Sequence, residues 1–193
     1  AYLIDNCFVN GGLFHDMTHS GINPYLTLNV AQVLMRAGDS RSYDIVTSVA
    51  ECASATGQWP EAVHPRTGGG CMGDGQHGWA ASEWIMAVRN GFLREEPDGR
   101  LVLGCGLRIP DTGEGFWSFG PAPTRYGPVA VSINIAEQEA VVKWQGTWGK
   151  IVPRIEVRIP GLEPAVVLEE GRSFARIPVP IRARNGVSLR EAT

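Results

Sequence analysis

The hydrophobic period changes once along this chain, near residue 95, and that change limits the folds open to it. Before it, apolar residues recur at helical spacing; after it they alternate as in half-buried strands. Helical and strand segments gathered into separate halves suggest two segregated units rather than an alternating βαβ sheet. The expected fold class is α+β, with a helical segment over residues 1–95 and a β-sandwich domain over residues 96–193. With 193 residues, 44% of them hydrophobic and 19% charged, the chain has material for a real core.

In the first half, Asn23-Pro24 reads as a cap followed by a first-turn proline, and Gly38 as the stop. Between them the run Tyr25, Leu26, Leu28, Val30, Val33, Leu34, Met35 looks apolar nearly all round, so this helix needs cover on most sides. Ser40 is positioned to cap a second helix with Ile45, Val46, Val49, Ala50 and Ala53 on one stripe, ended by Gly57. A third helix is expected from about Gln76 to Leu93, with Trp79, Ala80, Trp84, Ala87 and Val88 on one side. Three such helices cannot cover one another in about 95 residues. Either the chain self-associates through exposed helices, or it is the C-terminal piece of a larger helical domain. The second is favoured, because Ala1 has no helix cap and leads directly into an expected loop.

In the second half, Gly127–Ile135 and Ala140–Trp148 alternate as strands joined by Glu137-Gln138-Glu139. Arg154–Ile159 alternates again, and Ala165–Leu168 and Ser173–Val179 are weaker strand candidates. An antiparallel sandwich is expected, with Val141 and Trp144 on opposite faces. Trp117, Trp144 and Trp148 then supply large apolar areas to the sheet core or to a seam with the helices.

A net charge of −3 without charge blocks gives no basic patch for nucleic acid or an anionic membrane. No apolar run approaches the roughly 20 residues needed to span a bilayer. The N-terminal AYLIDNCFVNGG lacks the pattern of a signal peptide. Cys7, Cys52, Cys71 and Cys105 form no C-x-x-C pair and no ligand-spaced cluster with histidine, so free thiols in a reducing, cytoplasmic setting are expected. Neither a metal nor any cofactor is expected.

The chemistry concentrates in GQWPEAVHPRTGGGCMGDGQHGWAASEW, Gly57–Trp84, with three tryptophans, two histidines and seven glycines. Pro60 and Pro65 stiffen the stretch and hold Glu61 in a non-helical loop. Two readings of Glu61 stay open: a carboxylate that bonds a backbone nitrogen, or one presented above the helix ends for chemistry. Trp79 and Trp84 read as core, whereas Trp59 in a Pro-flanked loop suits a flat platform for the C–H face of a sugar. Along an extended backbone Trp59, Glu61 and Val63 fall on one side, which sets an indole beside the carboxylate. Gln76 and His77 open the third helix, where side chains and backbone N–H groups face one cleft. The run Gly68–Gly70 lacks the Lys-Ser/Thr ending of a phosphate loop. Upstream, NGGLFHDMTHSGINPY brings His15, Asp16 and His19 ahead of a helix, as structural side chains or as polar contacts to a ligand. His64 is a further candidate contact.

The order of a helix, G-x-W-P-E, a glycine loop and Q-x-G-W-A-A resembles the last hairpin of the six-hairpin (α/α)6-toroid glycosidases. These include glucoamylases and the glucosidase domain of glycogen debranching enzymes. NGGLFHDMTH is similar to their turn into the tenth helix, which lines the sugar site. PAPTRYGPVAVSINIAEQEAVVKWQGTW and RIEVRIP are similar to strands of their C-terminal sandwich. The resemblance covers about residues 8–160 and implies part of an incomplete toroid followed by a β-sandwich. Glu61 matches the family's general base, and Gln76, Trp79 and Ala80-Ala81 match its helix start; Gly78 is an insertion that shifts Gln76.

The implied activity is inverting hydrolysis of glucosides or oligosaccharides. Glu61 would deprotonate water while an acid absent from this chain protonates the glycosidic oxygen. Asp16 and Asp74 lie in the wrong segments to be that acid. The implied partners are a carbohydrate substrate and the remainder of the toroid. Two other functions stay open. A toroid phosphorylase is one, although a carboxylate at the base position repels phosphate. A non-catalytic carbohydrate-binding or structural module is the other.

Overall fold

The computed structural model describes residues 2–16, 20–73, 75–167 and 171–180, and the chain divides into two compact units between Val88 and Arg89. The first unit opens with α1 (Tyr2–Cys7), β1 (Phe8–Val9), β2 (Gly12–His15) and β3 (Gly21–Ile22). Then come α2 (Pro24–Ala37), α3 (Arg41–Glu51), β4 (Ala62–Val63), β5 (Gly70–Met72) and α4 (Gly78–Phe92), whose last turn passes the division. The five short strands pair antiparallel in the order β1-β2-β3-β4-β5.

These strands overturn the expected partial (α/α)6 toroid. Residues 8–9, 12–15, 21–22, 62–63 and 70–72, which read as parts of loops between helical hairpins, form a sheet, and the helices are short elements beside it. Strands of two to four residues are too brief to imprint alternation on a sequence. They exist because a neighbouring strand satisfies their N–H and C=O groups. Residues 2–7 are likewise helical rather than the start of a loop.

Helix α2 starts as its residues dictate. Asn23 Oδ1 accepts the Leu26 N–H at 3.0 Å, Pro24 fills the first turn, and Gly38 ends the helix at φ 73°. Thr27 is buried and ties the helix to β2. Its Oγ donates to Asn23 O at 2.7 Å and accepts the Leu13 N–H at 2.8 Å. The helix is one-sided, not apolar all round. Leu28, Ala31, Leu34 and Met35 are buried with Thr27, while Val33 is 67% exposed. Ser40 makes no side-chain cap on α3; Asp39 does, its Oδ1 accepting the Arg41 N–H at 3.0 Å. That helix stops at Glu51, with Cys52 as its C-cap and Gly57 in the turn beyond. Two apolar clusters close the unit: Leu28, Val49, Trp59, Ala80 and Ala87 in one, Ala31, Leu34 and Ile45 in the other.

The second unit contains β6 (Leu93–Glu95), β7 (Arg100–Leu103), β8 (Gly115–Ala122) and β9 (Val129–Ile135). It continues through β10 (Glu139–Gly146), β11 (Arg154–Val157), β12 (Ala165–Val167) and β13 (Phe174–Pro178). Leu168, the end of one expected strand, lies outside the described residues. Pro97-Asp98-Gly99 is the turn of the β6–β7 hairpin, with Gly99 at φ 90°. Two four-stranded sheets form, β13-β10-β9-β8 and β12-β11-β7-β6. Inward residues of both sheets share one core: Val129, Val131, Ile133 and Ile135 from β9, with Leu101, Leu103, Ile155 and Val157 from β7 and β11. Trp144 is buried in it and Val141, at odd spacing, is on the other face of β10, half-buried. Trp117 and Trp148 pack on the core half-buried.

The second sheet corrects the expectation of a purely antiparallel sandwich, because β11 runs parallel to β7. Parallel neighbours need a long crossover. Here the β8–β9–β10 meander, not a helix, is that crossover. Among the described residues no helix is long and apolar enough to cross a membrane, and all four cysteines are free thiols.

Candidate functional site

The stretch that carries the sequence motifs lies wholly in the first unit, and its geometry is set by backbone bonds around Trp59 and Glu61. The His77 N–H donates to Trp59 O at 2.8 Å, and the Glu61 N–H donates to Met72 O at 3.1 Å. These two bonds pin residues 59–61 between the approach to α4 and strand β5. Gly73, at φ 79°, passes so close that a Cβ there would be 3.3 Å from the Glu61 nitrogen. Any other residue would be strained in this left-handed conformation and would press the Glu61 backbone aside.

Trp59 is not a surface platform. It is 4% exposed, its Nε1 donates to Val49 O at 2.7 Å, and its ring lies 5.2 Å from that of Trp84. Pro-flanking makes the residue look loop-like; the Val49 carbonyl near the end of α3, which also accepts the Cys52 N–H at 3.2 Å, gives its indole N–H a buried partner. Nor does the segment alternate strictly. Ala62 and Val63 are both buried because the β4–β5 register shifts between them, and Glu61 is half-exposed. The Glu61 carboxylate has no hydrogen bond or ion pair among the described residues, so it caps no described backbone nitrogen.

A different aromatic group meets solvent. Trp79, in the first turn of α4, is 65% exposed rather than part of the core stripe. Ala80 and Ala87 are buried and Trp84 is half-buried, a spacing of four then three that defines the inner face. Trp79 is one residue, about 100° of helix, away from it. Its ring lies 5.5 Å from Tyr25, in the first turn of α2, and 5.8 Å from His77. Tyr25 and His77 are 5.4 Å apart. The His77 Nδ1 is buried without a hydrogen-bond partner among the described residues. Tyr25 was missed from sequence because it reads as one more apolar residue of α2. The available signal was its place beside Pro24, in a first turn.

The N-termini of α2 and α4 therefore converge on the pinned segment. Antiparallel pairing of Ile22 with Val63 runs Glu61 alongside the chain where Pro24 opens α2. The Trp59–His77 bond brings in the start of α4. Glu61, Tyr25, His77 and Trp79 are thus carried by segments that meet in one place.

The remaining candidates have local roles or sit farther along the sheet. His64 Nδ1 accepts the N–H groups of Arg66 and Thr67 at 3.3 Å each, which closes the turn after β4. His15 is half-buried on β2 and pairs in register with Gly21. Asp16 is exposed and accepts the Ser20 hydroxyl at 3.2 Å across the β2–β3 connection. Gln76 is exposed just ahead of α4. His19 and Asp74 lie outside the described residues. No group of three or more His, Cys, Asp or Glu among the described residues is arranged to hold a metal ion. The chain matches no protein-family model, no curated protein and no solved structure.

Proposed function

We propose that this chain is the part of a glycoside hydrolase that carries the general base. Glu61 takes the proton from a water attacking the anomeric carbon of a glucoside or oligosaccharide. The general acid is supplied by another part of the protein, and the product is inverted. In that reaction the two carboxyl groups stand about 6.5–9.5 Å apart so that a water fits between one of them and the sugar. The observation that carries the reading is the Glu61 carboxylate itself. It is half-exposed and unpaired among the described residues, on a segment whose backbone is fixed at both Trp59 and Glu61. A rigid, uncommitted carboxylate is what a positioned base requires.

The aromatic trio supports a sugar as the substrate. Trp79 offers an exposed indole face for sugar C–H groups, in the role first expected of Trp59. The unpartnered His77 nitrogen suits a hydroxyl. Gln76, just ahead of α4, is a polar group for the rim.

The test uses the full-length protein and a panel of α- and β-linked glucose disaccharides, with products followed by NMR. The expected result is release of glucose in the anomeric configuration opposite to the bond cleaved, lost in Glu61→Gln. Retention of configuration, or undiminished turnover in Glu61→Gln, would overturn the assignment. Sugar phosphate formed only on adding inorganic phosphate would indicate phosphorolysis, and binding without any cleavage a non-catalytic module.

A further inference from the structure

The second unit carries a separate polar cleft on the outward face of the sheet β13-β10-β9-β8. Register places Ser118, Ser132, Lys143 and Phe174 in one row across all four strands. Gln145 follows Lys143 at the next outward position of β10. These residues line a cleft of about 620 Å³. It forms where the β8–β9 register shifts between Phe119 and Ala122, and such a shift bends a strand and curves the face. The volume falls in the range of small-ligand sites.

The floor sets the Lys143 ammonium among the uncharged hydrogen-bonding groups of Ser118, Ser132 and Gln145, and the edges are aromatic. Phe174 on edge strand β13 is 41% exposed, and Phe116, two residues before Ser118 on edge strand β8, is 68% exposed. Neighbouring strands lie about 4.8 Å apart, so the row spans roughly 14 Å, the length of two or three pyranose rings.

The charge lining the cleft is of one sign. Lys143 has no ion-pair or hydrogen-bond partner among the described residues. The guanidinium groups of Arg172 and Arg176 stand 5.5 and 6.0 Å from the Phe174 ring centroid, and Glu139 pairs with Arg176. Lys143 is the one charged residue among the described residues lining the cleft.

We propose that this cleft binds an anionic saccharide. Its carboxylate or phosphate would meet the Lys143 ammonium, its hydroxyls Ser118, Ser132 and Gln145, and its C–H face the Phe174 ring. The site stands on these residues alone and does not depend on Glu61.

Isothermal titration of the full chain at low salt tests it. The probes are a glucuronate-terminated disaccharide, the same disaccharide with glucose in that place, glucose 6-phosphate and inorganic phosphate. The expected result is a preference of about 10-fold or more for one or both charged sugars over the neutral disaccharide, as a charge-assisted hydrogen bond provides. Which charged sugar binds identifies carboxylate or phosphate as the recognised group. Lys143→Gln should abolish the preference, Lys143→Arg retain most of it, and Phe174→Ala weaken all sugars a few-fold. Glu61→Gln should bind as the parent does. Equal binding of neutral and charged disaccharides, no binding of either charged sugar, phosphate binding as tightly as sugar, or an unchanged Lys143→Gln would each overturn the proposal. All these side chains face solvent, so unchanged thermal melts check that the variants fold.

Discussion

The His77 N–H donates to the Trp59 carbonyl at 2.8 Å, and this one bond separates two tryptophans into different roles. It holds Trp59 inward, where the indole reaches Val49 O and Trp84. It also fixes the entry to α4, so that Trp79, two residues after His77, projects outward beside Tyr25.

The two indoles should therefore separate stability from binding. Trp59→Ala removes a buried side chain and is expected to cost about 3–5 kcal/mol. Trp79→Ala should change stability by less than about 1 kcal/mol, because the ring is mostly exposed. Sugar affinity should fall in the Trp79 variant, by roughly 5–10-fold if the indole stacks on a ring. Chemical denaturation and sugar titration of both variants check this. A Trp79→Ala protein that binds sugar normally would remove the platform role.

Gly73 offers a second separation. A side chain there meets both a positive φ and the Glu61 backbone at 3.3 Å, so Gly73→Ala strains the loop and pushes on the segment that carries Glu61. The left-handed conformation alone costs about 1–2 kcal/mol for alanine. Turnover should fall by more than stability accounts for, with kcat affected more than KM, since positioning of Glu61 is disturbed. A variant with parental kcat after correction for the folded fraction would mean that the loop does not position the base.

Parts of this architecture are legible in the residues and parts are not, for physical reasons. Asn23, Pro24 and Gly38 act through their own backbone and side-chain chemistry, so the ends of α2 can be read directly. The β9–β10 hairpin is equally readable, because Val129, Val131, Ile133 and Ile135 alternate over a long enough run. The strands β1 to β5 are stabilised by partners distant in the chain, such as Ile22 with Val63, and leave no local period. The parallel pair β7 and β11 is separated by the whole β8–β10 meander, which no window of sequence spans. At the site, the stiffness around Glu61 was readable from Pro60. The exchange of roles between Trp59 and Trp79 was not, because it depends on which carbonyl and which helix face each indole meets.

Glu95 provides a pH-dependent contribution in the second unit. Burial favours its neutral form, but the Arg125 backbone N–H at 2.8 Å and Arg89 at 2.7 Å outweigh that, and its pKa is lowered from 4.5. A carboxylate with a depressed folded pKa stabilises the fold above the unfolded value. That stability is lost as the pH falls below 4.5 and through the lower, folded pKa. Glu95→Gln should cost about 1 kcal/mol at neutral pH, and the difference from the parent should vanish in strong acid. Urea denaturation at several pH values measures it. A difference that persists unchanged at pH 3 would show that the side chain acts by packing rather than by charge.

Glu61 stands in contrast, since its carboxylate has no partner among the described residues. A charge that stabilises nothing in the fold can be removed without structural loss. Glu61→Gln, which keeps volume and the backbone bond to Met72, should lie within about 0.5 kcal/mol of the parent in stability. Its sugar affinity should also be preserved, because the trio of Tyr25, His77 and Trp79 is intact. Turnover should nevertheless drop roughly 10²–10⁴-fold, the usual size of a lost general base. The three measurements matter jointly: a structural carboxylate loses stability, a binding carboxylate loses affinity, and only a catalytic one loses turnover alone. A drop in stability of 2 kcal/mol or more would return Glu61 to a structural role, whatever happened to the rate.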